Sequence, residues 1–117
     1  MLLSVVIPIR NEILSIPNSF ESIISAISEI ESEIFFVDGL SNDGTYEWIK
    51  NAIQNLNNCK LVLNHKKFVS YGFNQVFNDT KGQFISRIDG HTIYPKTYFS
   101  NAIDIFNNNQ ADVVGGP

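Results

Sequence analysis

Five short apolar runs, at residues 4–9, 34–37, 61–63, 84–88 and 112–114, are separated by longer segments of different periodicity, and this alternation restricts the fold more than any other feature of the chain. Runs this short, rich in Val, Ile and Phe, have the length of strands; buried helices need ten or more residues. Between the first two runs, Ile23, Ile24, Ile27 and Ile30 recur at helical spacing and make one apolar face. Pro17 suits the first turn of that helix, where its missing N–H has no intrahelical partner to lose. Trp48, Ile49, Ala52, Ile53 and Leu56 repeat the pattern after a cap expected at Asp43 or Thr45. A third helix is predicted over 70–78 and a fourth over 98–106. Strands that alternate with helices form right-handed βαβ units, so the predicted class is α/β, an open, doubly wound, mostly parallel sheet with flanking helices.

The chain has 117 residues, one domain by size, with 44% hydrophobic residues and no repeat or low-complexity tract. A net charge of -4 and a pI near 4.9 exclude a nucleic-acid binder, because phosphate backbones are held by clustered Lys and Arg. Lys66 and Lys67 form the one short basic pair, open to an exposed loop or to a phosphate. The apolar part of MLLSVVIPIRNE is too short to span a bilayer and carries no positive leader or small-residue cleavage site, which implies a protein that stays in the cytoplasm. Cys59 is the sole cysteine, so an intrachain disulfide and a cysteine zinc cluster are both excluded. It is expected to be a small buried hydrophobe beside the third strand.

In an open parallel sheet, ligands gather outside the carboxyl ends of the strands where strand order reverses. Three of the predicted strand ends are polar, acidic or glycine-bearing: Pro8-Ile9-Arg10-Asn11-Glu12, Asp38-Gly39-Leu40-Ser41-Asn42-Asp43-Gly44-Thr45 and Asp89-Gly90-His91. No G-x-G-x-x-G follows the first strand, and no phosphate loop with G-x-x-x-x-G-K-[ST] is present. Asp43-Gly44-Thr45 reads as a helix-capping loop. Asp38 closes a buried strand and faces the crevice, where a carboxylate can accept hydrogen bonds from a base or a ribose.

A nucleotide diphosphate bound to an acidic protein without glycine-loop cradles calls for a divalent cation between phosphate and carboxylate. Asp89 and His91, separated by Gly90, can turn toward one point above the fourth strand; the same three residues also make an ordinary turn. Imidazole with carboxylate suits Mn²⁺ better than Mg²⁺, and two protein ligands leave positions open for phosphate oxygens. Arg87 sits inside an apolar run, where an unpaired cation costs several kcal/mol, so it is expected to meet Asp38 or Asp89 or to reach the diphosphate. Arg10 is expected at the crevice mouth, paired with Glu12. His65, Tyr71 and Trp48 are read as packing or surface residues.

SVVIPIRNE, FFVDGLSNDGT, FISRIDGHTIYP and ADVVGGP, in this order and spacing, resemble the family 2 glycosyltransferases of the Rossmann-like GT-A fold, in particular the succinoglycan-biosynthesis type. The likeness covers essentially the whole chain and is specific as a set of four motifs. It implies an inverting hexosyl transfer from a nucleotide-diphosphate sugar, usually UDP-linked, to a polysaccharide or lipid-linked acceptor at the inner face of the membrane. The resemblance places Pro8, Arg10 and Glu12 against the nucleoside and Asp38 on the base, with Asp89, Gly90 and His91 on the family's D-x-D position and Mn²⁺ or Mg²⁺ on Asp89 and His91. Two residues depart from the family pattern: His91 replaces the second acid of D-x-D, and Gly39 stands where many relatives carry another Asp. The general base of an inverting transfer is expected beyond residue 117, which makes residues 1–117 the donor-binding half of a longer enzyme, with an exposed sheet edge able to pair with another copy. The alternatives are a nucleotide-binding module without catalysis and a receiver-like signalling domain. A receiver would carry acids after the first strand and a lysine after a late one; this chain has Arg10-Asn11 and Val114-Gly115.

Overall fold

A computed structural model describes residues 3–28, 30–64, 84–99, 101 and 113–115, and every structural statement below concerns these. The elements run β1 (Leu3–Ile9), α1 (Ile16–Ile27), β2 (Ser32–Asp38), α2 (Thr45–Ala52), β3 (Cys59–Leu63), β4 (Phe84–Arg87) and β5 (Val113–Gly115). Each predicted strand is present, displaced by no more than two residues at either end. The predicted helix over 70–78 lies outside the described residues; of the one predicted over 98–106, residues 98, 99 and 101 are described and are helical. No described helix is long and apolar enough to cross a membrane.

All five strands pair in parallel in the order β3-β2-β1-β4-β5. The chain moves outward from β1 through β2 to β3, then resumes on the other side of β1 with β4 and β5. This reversal makes the sheet doubly wound and puts the switch point between β1 and β4. Ile9 pairs with Asp38, and Asp38 in turn with Leu63, so these three strand ends lie level.

Strand alternation divides the side chains between two faces. On one, Ile16, Phe20 and Ile23 of α1 and Ile49 of α2 pack with Val5, Ile7, Ile34 and Phe36 in a single core. Phe20 lies 5.7 Å from Phe36 and takes the edge of Trp48 at 5.4 Å, which confirms Trp48 as a packing residue. The opposite face carries a smaller buried group, Val6, Phe35 and Val37. Cys59 opens β3 and is buried as expected; desolvation pushes its thiol up to about 11.

Two local expectations are corrected. The cap of α2 is Gly44, in the left-handed region at φ 98°, while Asp43 accepts the Thr45 N–H at 3.0 Å and serves the first free donor of the helix from outside it. Leu56, predicted inside α2, lies beyond its end at Ala52 and packs on the same core from the following turn. Arg87 is the larger correction. It pairs with Val6, which sends its side chain to the Val6-Phe35-Val37 face, whereas Asp38 alternates with Ile34 and Phe36 on the other. Arg87 is exposed and makes no ion pair with Asp38 or Asp89 among the described residues, and water removes the desolvation cost that called for a buried partner.

Candidate functional site

The ends of β1, β2 and β4 each continue into a short polar segment, and hydrogen bonds between side chains and backbone tie the segments together. Asp38 is fully buried at the end of β2. Its Oδ2 accepts the Ser41 N–H at 2.8 Å and its Oδ1 accepts the Ser41 hydroxyl. Ser41 Oγ in turn accepts the Asn11 N–H at 2.9 Å, and Asn11 Oδ1 accepts the Asn42 N–H at 2.8 Å. These bonds brace two left-handed residues, Asn11 at φ 53° and Leu40 at φ 60°. Asn adopts that conformation readily, but for Leu it costs on the order of 1–2 kcal/mol, so the Asp38 network holds a strained loop in place. Both Asp38 oxygens are thus engaged with Ser41.

Arg10 is exposed, and its Nε donates to the Gly39 carbonyl at 3.1 Å rather than pairing with Glu12. Glu12 belongs to a different network. Its N–H donates to Thr45 Oγ1 at 2.9 Å, and the Thr45 hydroxyl donates to Asp43 Oδ1. Asp43 Oδ2 accepts the Ile13 N–H at 3.2 Å, which anchors the β1 loop to the start of α2.

The Glu12 side chain reaches across the switch point to the end of β4, where its Oε1 lies 2.8 Å from His91 Nδ1. The same nitrogen lies 3.6 Å from Asp89 Oδ1. Glu12 Oε2 is buried with no hydrogen-bond partner among the described residues. Burial raises the Glu12 pKa above its ordinary value, and the His91 contact offsets this only in part. Gly90 makes the approach possible, since a Cβ there would come 2.8 Å from Glu12 Oε2.

Asp89 Oδ1 accepts the N–H groups of His91 at 3.1 Å and Thr92 at 2.8 Å, closing the turn at the end of β4. Tyr94 OH donates to the Asp89 carbonyl at 3.3 Å, and burial, with the Asp89 charge behind it, pushes that phenol up to about 12. From α1, the Ser19 hydroxyl donates to the Gly90 carbonyl, and Ser22 Oγ accepts the Tyr94 N–H at 3.1 Å.

The structure therefore brings Glu12, Asp89, Gly90 and His91 together at the switch point, whereas Pro8 pairs with Val37 and so lies on the Val6-Phe35-Val37 face, away from Ile7 and Ile9 that adjoin Gly90. Asp38 and Arg10 lie on the neighbouring β2 side, and Arg87 on the opposite face of the sheet. Lys66, Lys67, His65 and Tyr71 lie outside the described residues. Ser19 and Ser22 have no counterpart among the sequence-based expectations, and Ser41 and Thr45, expected only in a loop or as a cap, also bond to Asn11 and Glu12 of the β1 segment. Ser41 had a local signal, three residues after an Asp, the spacing at which a capping carboxylate reaches a backbone N–H; Ser19 and Ser22 had none, because their partners lie in the distant segment after β4.

Asp89 and His91 suit a divalent cation as partial ligands. Asp89 Oδ2 and His91 Nε2 have no hydrogen-bond partner among the described residues, and the His91 side chain is 62% exposed. No group of three or more His, Cys, Asp and Glu side chains among the described residues is disposed to hold a metal ion. The chain thus offers two open donors, and the other ligands would have to come from phosphate and water.

A family model described as Glycosyl transferase family 2 matches residues 4–117. Comparison with curated proteins gives no match. Among solved structures, residues 1–349 of S. aureus TarS superpose with a TM-score of 0.78 at 21% identity, over 96% of this chain and 34% of that one. The same protein has been solved with UDP-GlcNAc, and there the TM-score is 0.75. The Pyrobaculum calidifontis mannosyltransferase PcManGT, in complex with GDP-Man and Mn²⁺, gives 0.79 at 20% identity over 89% of this chain and 32% of that one. The chain thus spans about a third of the length of these structures, which share its fold.

Proposed function

Since the chain belongs to glycosyl transferase family 2, we propose that it forms the nucleotide-sugar-binding part of an inverting glycosyltransferase of the succinoglycan-biosynthesis type. Its donor is a UDP-linked hexose, and its acceptor is a saccharide or a lipid-linked sugar. The observation that carries this reading is the meeting of β1 and β4 at the switch point, where Asp89 and His91 each keep one ligand atom open. TarS, solved with UDP and with UDP-GlcNAc, and PcManGT, solved with GDP-Man and Mn²⁺, support a sugar nucleotide and a divalent cation as the ligands of this fold.

In this reading Gly90, with Glu12 packed against it, forms the floor of the donor site, Asp38 and its bonded Ser41 shape the wall beside the base, and Arg10 adds a positive charge near Gly39. Asp89 Oδ2 and His91 Nε2 are the groups that would hold Mn²⁺ or Mg²⁺. When bound, such a cation offsets the charge that develops on the departing diphosphate. Arg87, on the opposite face of the sheet, has no part in this donor site.

Calorimetric titration with UDP, with and without Mn²⁺ and with GDP as competitor, tests the reading. Manganese-dependent UDP binding that disappears in Asp89→Ala is the expected result. A folded sample that binds neither nucleotide overturns it.

A further inference from the structure

Glu12 was expected to lie against a nucleoside or to pair with Arg10, yet neither of its oxygens is available for either task. Oε1 is committed to His91 Nδ1 at 2.8 Å, and Oε2 is buried beneath the Gly90 backbone. The residue also has little freedom to turn away. Its N–H is fixed by Thr45 at 2.9 Å, and its carboxylate fills the space that a side chain at position 90 would need.

We propose that Glu12 is a positioning residue that fixes the tautomer and the plane of the His91 ring, holding the proton on Nδ1 and leaving Nε2 as an exposed, bare lone pair. An ionised carboxylate can only accept hydrogen bonds, so the nitrogen facing it must carry the hydrogen. In a neutral imidazole the other nitrogen is then the acceptor, the form in which histidine binds a metal ion. Asp89 Oδ1, 3.6 Å from Nδ1, adds a second negative atom on the same side of the ring. The backbone that carries the ring is itself held, through the Gly90 carbonyl by Ser19 and through the Asp89 carbonyl by Tyr94. A carboxylate, a histidine and an open ligand position are thus set in series across the junction of β1 and β4. The part of this inference that concerns metal affinity rests on the donor-site reading; the tautomer does not.

The test is long-range proton–nitrogen NMR of the nitrogen-15-labelled chain, at a pH well above the ordinary histidine pKa, with His65→Asn used to tell the two histidines apart. The expected wild-type spectrum shows His91 protonated on Nδ1. In Glu12→Gln, whose amide can donate as well as accept, the Nε2-protonated form becomes substantially populated. Mn²⁺ affinity in the presence of UDP, read from the free-ion paramagnetic resonance signal, falls about 10- to 100-fold in the same variant. His91 found protonated on Nε2 in the wild type overturns the proposal. So does a Glu12→Gln variant with unchanged tautomer, or with unchanged Mn²⁺ affinity despite a changed tautomer. If the wild type binds no Mn²⁺ with UDP, the donor-site reading falls, while the tautomer still decides the role of Glu12. The wild-type spectrum decides it also if Glu12→Gln does not fold.

Discussion

Gly90 and Glu12 occupy one another's space: a Cβ built on Gly90 would stand 2.8 Å from Glu12 Oε2 and 2.5 Å from Ile9 Cγ2. Ile9 is only 4% exposed in the main core, and Glu12 is held at its backbone by Thr45, so neither can step aside freely. Gly90→Ala is therefore expected to destabilise the fold by about 1–3 kcal/mol, the range for overpacking a tight site. Urea unfolding of the two proteins measures this. A loss under about 0.5 kcal/mol would show that Ile9 and Glu12 yield to the added methyl and that the two strand ends are not tightly apposed.

Asp38 makes a second prediction because its role is structural before it is chemical. It is fully buried, accepts both the N–H and the hydroxyl of Ser41, and so braces a loop in which Leu40 sits at φ 60°. Asp38→Ala removes the acceptor for a backbone N–H and releases the strained turn, at a cost of about 1–3 kcal/mol. UDP affinity is expected to fall in the same variant. Unfolding and calorimetry on one sample give both numbers, and full stability with lost UDP binding would mean that Asp38 touches the ligand alone.

The division between what the sequence disclosed and what it concealed follows the range of the interactions. The strands were legible because their apolar runs are local signals, and the polar strand ends stood out for the same reason. The face of Arg87 was not, because it depends on the pairing of Val6 with Arg87, a register set between strands. Glu12 and His91 are 79 residues apart, and Ser19 and Gly90 are 71 apart. Those contacts exist only because β4 returns to lie beside β1, and no local pattern encodes that adjacency. Asp38 and Ser41, three residues apart, belong to the legible class, although the burial of the pair does not.

Asp43 sets a pH dependence with a definite sign. Desolvation works against its charge, but hydrogen bonds from Thr45 and Ile13 prevail and hold the carboxyl below its ordinary 3.8. A carboxyl with a depressed pKa in the fold contributes stability that is fully present above the unfolded value and is lost as pH falls through the folded one. Asp43→Asn is accordingly expected to be less stable than the wild type at neutral pH, and the gap is expected to close as pH drops below about 3.8. Denaturant midpoints of the two proteins from pH 7 down to 3 check this, and a gap that is constant over the range would contradict it.

Ser19 offers the most selective test of how α1 supports the end of β4. Its buried hydroxyl donates to the Gly90 carbonyl, and one turn later Ser22 Oγ accepts the Tyr94 N–H at 3.1 Å. Ser19→Ala suits the helix and removes only one oxygen, so α1 should persist while the Gly90 carbonyl loses its partner. The cost is expected to be about 1–3 kcal/mol, the range for leaving a buried polar group unsatisfied. The loss should appear locally as well as globally. The His91 and Thr92 amides, both held by Asp89 Oδ1, should exchange with deuterium faster in Ser19→Ala by a larger factor than the amides of β1. Equal acceleration everywhere would mean that Ser19 contributes to the core alone and that the Asp89–His91 turn keeps its shape without it.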